Sequence, residues 1–172
     1  MWKIIGGVVG GVVLVAVLAW QVAGSFMFTV TPSPFGVDET AARIQANIAA
    51  TDGWALSGLR RPARGIIPTV GEQAVLLVET CAAKYSGPLL EDEQSRLLSI
   101  LMPCTITVFR KDDGKVYVGT MNSGLMGKLF GSKVAGIMAQ VAEDQKKFLV
   151  MDPSKPAPDL VEVQPGSNPA GC

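Results

Sequence analysis

Histidine is absent from the 172 residues. With it go the commonest metal ligand and the commonest acid–base group at neutral pH. Ser-His-Asp or Cys-His chemistry would need an imidazole from a partner chain. Net charge is absent too, because 15 Lys and Arg balance 15 Asp and Glu. No basic field exists to collect nucleic acid, which is not an expected partner. The three cysteines, Cys81, Cys104 and Cys172, form no CxxC pair and no zinc-type spacing. The Gly/Ser-containing stretch from Met121 to Ser132 has no Walker pattern. These gaps argue against an enzyme, and no cofactor is expected.

What the sequence does have begins with an uncharged run over residues 4–28. A bilayer core is spanned by about 20 apolar residues. Trp2 and Trp20 lie near the two ends, where aromatic side chains favour the interfaces. A cleaved signal peptide is the alternative, with Ala19 or Ala23 at the cleavage site. The length and the flanking tryptophans favour a retained transmembrane helix over residues 1–28. Lys3 is the only positive residue before Arg43, which orients the N-terminus to the cytoplasm and the rest to the periplasm of a bacterial inner membrane. Gly6, Gly7, Gly10 and Gly11 form two small-xxx-small pairs, spacing that lets another helix approach closely.

Downstream, residues 29–37 read as a stiff Pro/Ser linker. Apolar periodicity predicts a helix over 38–51, with Asp38 as cap and Gly53 as stop. Strands are expected at 54–59 and 73–80. Thr80 is the expected cap of a helix over 81–101, interrupted at Gly87-Pro88. Asp113-Gly114 between two alternating runs predicts a hairpin of 104–110 with 116–121. An amphipathic helix follows over about 131–148. Residues 152–172 form a Pro-rich tail, expected to be disordered or loosely docked. Helices interspersed with an antiparallel hairpin indicate an α+β fold, with the helices packed on one face of a sheet.

The segments "LLVETCAAKY", "LMPCTITVFRKDDGKVYVGTMN" and "VAGIMAQVAEDQKKFL" together resemble the Domain of Unknown Function 302 family over roughly residues 38–150. Its members typically carry Leu-Pro-Cys before a hairpin and often Cys-Asn-Pro opening the middle helix. Here Met102 replaces the leucine, and Ala82-Ala83 replaces Asn-Pro. The resemblance implies a small TBP-like α+β domain over 38–151, commonly dimeric, with no established activity.

Chemistry, if any, rests on sulfur. Cys81 is expected in the first turn of its helix, where free N–H groups and the helix dipole favour a thiolate. Otherwise it is a small buried side chain. Cys104, at a strand start, gains no such help. A Cys81–Cys104 disulfide needs Cα atoms within about 7 Å. A continuous helix would separate the pair by ~24 Å, and only a fold-back at Gly87-Pro88 would join them. Cys172 could pair between subunits. Met102, Met121, Met126 and Met138 cluster in sequence near Cys104, and thiolates and thioethers suit Cu(I) or haem. The stronger reading of the methionines is core filling. Arg60, Arg61 and Arg64 offer an anion or lipid contact, or a solvated loop.

The leading expectation is a non-catalytic, single-pass accessory subunit, held to itself as a homodimer or to other membrane subunits. The alternative is a thiol-redox, sulfur-carrier or soft-metal or haem-binding protein using Cys81 and Cys104.

Overall fold

The computed structural model describes residues 24–62 and 75–164, together with Gly11, Leu14, Val15 and Val17. The predicted hairpin is the centre of its sheet. Strand β4 (Cys104–Arg110) pairs antiparallel with β5 (Val116–Met121). Gly114 takes the positive φ of 78° that the turn requires. Asp113 locks that turn by accepting from the Lys115 N–H and the Tyr117 hydroxyl, both at 2.9 Å.

Strand β3 (Val75–Cys81) adds to β4, and β2 (Ala55–Arg60) to β3, across a bulge between Leu56 and Gly58. The far edge was expected to be linker. Instead β1 (Phe28–Ser33) pairs antiparallel with β5, giving the order β1-β5-β4-β3-β2. Pro32 belongs to it because an edge strand tolerates a missing N–H on its free side.

Helices cover one face. Helix α1 (Val37–Ala49) buries Val37, Ala41, Ile44 and Ile48, spaced three and four apart. Asp38 and Glu39 complement the dipole of its first turn. Beneath it lie Leu76, Val78, Ile106 and Val108, all fully buried. Each such side chain stabilises by about 1.5–3 kcal/mol.

Helix α2 (Ala83–Glu91) runs through Gly87-Pro88 without a break. The interruption comes at Asp92, whose carboxylate accepts from the Gln94 N–H and the Ser95 hydroxyl and turns the chain. A 3-10 helix (Arg96–Leu101) follows. The cap prediction fails as well. Thr80 is a buried strand residue donating to the Ala55 carbonyl, and Cys81 ends β3 before the helix begins.

Helices α3 (Ser123–Lys128) and α4 (Ser132–Phe148) close the layer. Gly127 allows their close approach, since a Cβ there would meet Met138 at 2.5 Å. Residues 152–164 are docked rather than loose. Buried Arg43 donates to the Asp152 and Lys155 carbonyls, both at 2.9 Å. Gln45 exchanges two 2.9 Å hydrogen bonds with the Val161 backbone, and Leu59 N–H donates to Val163 O at 2.8 Å.

Among the described residues no helix is long and apolar enough to cross a membrane. The predicted anchor falls mostly outside them, as do Gly6, Gly7, Gly10, Arg64 and Cys172. Gly11 is described and has nothing within 4 Å of a notional Cβ.

Candidate functional site

The registers give the sheet two distinct ends. Phe28, Ala55, Cys81, Cys104 and Met121 gather at one, hereafter the near end. Ser33, Arg60, Val75, Arg110 and Val116 mark the other. A cavity of about 50 Å³ opens at the near end between sheet and helices. Six sulfur-bearing residues line it: Cys81, Cys104, Met102, Met121, Met126 and Met138. The rest of the lining is almost wholly apolar, so its volume, enough for a few waters, offers them few partners.

The sequence placed Cys81 and Cys104 together only if the chain folded back at Gly87-Pro88. They do meet, by a different route: β3 and β4 are neighbours, with Thr80 opposite Cys104. Meeting does not mean bonding. Cys104 is a free thiol, whereas Cys81 is disulfide-bonded, so the bridge that a fold-back would have allowed between them is absent. Burial pushes the Cys104 thiol up to about 11, leaving it protonated and a poor nucleophile at neutral pH. The thiolate expected of Cys81 fails on both counts, its strand position and its disulfide.

One wall is held by a polar knot that nothing in the sequence announced. Asp144 of α4 accepts from Trp54 Nε1 at 2.9 Å, the Tyr85 hydroxyl at 2.8 Å and Lys147 Nζ at 2.5 Å. Burial opposes its ionisation, but these donors outweigh that and hold the carboxyl well below the usual carboxylate range. The Tyr85 hydroxyl is raised, first by burial and then by the Asp144 carboxylate. Trp54 also stands edge-on to Phe148, with ring centroids 5.0 Å apart. These partners lie 90 and 59 residues apart, beyond any local pattern.

The face of the sheet away from the helices carries a shallow groove of about 710 Å³. Phe28, Ile100, Pro103 and Phe109 are among its walls. Of the arginines expected to take an anion, Arg60 pairs with buried Glu79, and Arg61 binds Glu162 through 2.6 and 2.8 Å hydrogen bonds. Among the described residues no cluster of three or more Cys, Asp or Glu forms a cation site.

Asn122 was also missed, though an Asn before a short helix is a recognisable cap. Its side chain accepts from Leu125 N–H at 3.1 Å and donates to Phe26 O at 3.2 Å. Its backbone N–H donates to Met27 O at 2.8 Å.

Residues 29–151 match the model of a family described as Domain of unknown function DUF302. The crystal structure of an uncharacterized conserved DUF302 protein from Bacillus stearothermophilus superposes with a TM-score of 0.60 at 14% identity. The match covers 72% of this chain and 95% of that one, and at such identity it speaks for the fold alone. No functionally curated protein matches the chain.

Proposed function

The chain belongs to the DUF302 family, and from that premise we propose that it is a membrane-tethered, non-catalytic accessory subunit whose α+β domain faces the periplasm. Residues 4–28 supply the tether, and residues 29–151 supply the domain that meets other chains or a second copy. The observation that carries this reading is the Cys81 disulfide, a bond that persists in oxidising compartments and is rare in the cytoplasm. It agrees with the outward orientation that Lys3 favours. The non-catalytic part is supported by the chemistry of the cavity. Its free thiol is protonated, and Asp144, the carboxylate bonded to its lining residues Trp54 and Tyr85, is consumed by three donors.

The full chain, expressed in bacterial membranes and solubilised in mild detergent, tests the proposal. We expect it to run larger than one chain, with a stoichiometric partner or a second copy. A lone monomer under gentle conditions defeats the accessory role.

The convergence of Met102, Met121, Met126 and Met138 around Cys104 favours one alternative, a soft monovalent metal held by thioethers and one thiol. Titration with Ag(I) would protect Cys104 from alkylation on that reading. Unprotected Cys104 at saturating Ag(I) removes it.

A further inference from the structure

The described domain exposes several large apolar side chains and, Val150 and Val161 aside, they are not scattered. Phe26 and Phe28 are each 61% exposed where the chain enters the sheet. Leu129, 67% exposed, and Phe130, 45%, follow α3. Leu97 and Ile100, on the 3-10 helix, are 76% and 80% exposed. These three groups adjoin. Phe28 and Ile100 line one groove, while Leu97 and Phe130 border one depression. All belong to the near end of the sheet. The hairpin tip at the other end presents Lys111, Asp112, Asp113 and Lys115 instead.

An apolar patch by itself does not name what covers it. Here the chain supplies the answer, because the uncharged run of residues 4–28 ends inside the patch. There is no slack at the join. Asn122 holds the Phe26 and Met27 carbonyls, and Phe28 is already in register with Met121. A helix leaving a bilayer at this point brings whatever surrounds residues 26–28 down to the lipid interface. We infer that the near-end rim formed by Phe26, Phe28, Leu97, Ile100, Leu129 and Phe130 seats in the lipid surface, with the β4–β5 hairpin pointing away from it. This inference rests on the tether proposed above. Exposed Lys128, at the end of α3, stands beside the rim, where anionic headgroups would meet it.

The full chain in vesicles of phosphatidylethanolamine and phosphatidylglycerol tests the rim. A fluorophore is placed through Leu129→Cys or, as a second rim site, Ile100→Cys, and compared with Asp112→Cys at the hairpin tip. Strand β5 alone separates the two ends by about 20 Å. Lipids bearing a nitroxide near the headgroup should quench both rim labels several-fold more than the tip label. Equal quenching at rim and tip, in chain that stays in the membrane pellet at high pH, overturns the rim while sparing the tether. Release at high pH overturns both. Weak rim quenching with efficient cross-linking of two Leu129→Cys copies assigns the patch to a second chain and overturns the lipid assignment.

Discussion

The two ends of the same five-stranded sheet are built on opposite terms. At the near end apolar and sulfur-bearing side chains enclose a cavity, and further apolar groups stand exposed around it. At the far end a short charged hairpin closes the ladder, with Lys111 placed 4.1 Å over the Tyr117 ring and Asp113 fastening the turn. One end is organised by what surrounds it, the other by its own local bonds. Local bonds read out in sequence, and surroundings do not.

The largest expected effect concerns Trp54, which holds the near end by packing on Phe148 and Tyr85 and donating to Asp144. Trp54→Ala should cost about 3–5 kcal/mol in urea unfolding. Lys111→Ala at the far end should stay within about 0.5 kcal/mol. Comparable losses at the two sites would erase the contrast.

Asp144→Asn should follow, at about 2–4 kcal/mol, because Lys147, Trp54 and Tyr85 lose an ionised acceptor. The sign with pH is fixed by the direction of the shift. A carboxyl held below its ordinary value contributes fully above about pH 4 and loses that contribution as acid protonates the folded form. Denaturation midpoints measured from pH 7 downward should therefore fall for the parent chain and fall less for the variant.

Cys104 sharpens the comparison kinetically. A rise from 9.0 to about 11 leaves about 100-fold less thiolate at neutral pH, so alkylation in the folded chain should be at least that much slower than in urea. Mass spectrometry after timed labelling reads it, and fast native labelling would show that the near end is open to water. The turn comes next, just above the Lys111→Ala reference. Asp113→Ala removes two hydrogen bonds from a solvated loop and should cost about 0.5–1 kcal/mol by the same urea assay.

The hairpin, β3 and the last helix were legible from the sequence because alternation, a continuous apolar run and helical spacing are local signals. The edge strand β1 was not. Its Thr-Val-Thr-Pro-Ser run reads as linker until β5 offers it a partner. Pro88 suggested a break that Asp92 makes instead, through side-chain bonds no periodicity displays. The tail's polar pairs span more than a hundred residues, from Arg43 and Gln45 to Lys155 and Val161. For the site, composition pointed to the sulfurs, but only the β3–β4 register brings them to one cavity. The Asp144 knot left no trace at all.

The strand that opens the domain has a mechanical consequence. Tension reaching Phe28 from the preceding segment runs along β1, while its hydrogen bonds to β5 lie across that direction. The paired positions from Phe28 to Ser33 would then bear load in shear and together, rather than peel one at a time. A pull in that direction would load all of those pairs at once, making the first described strand a fastener for whatever precedes it.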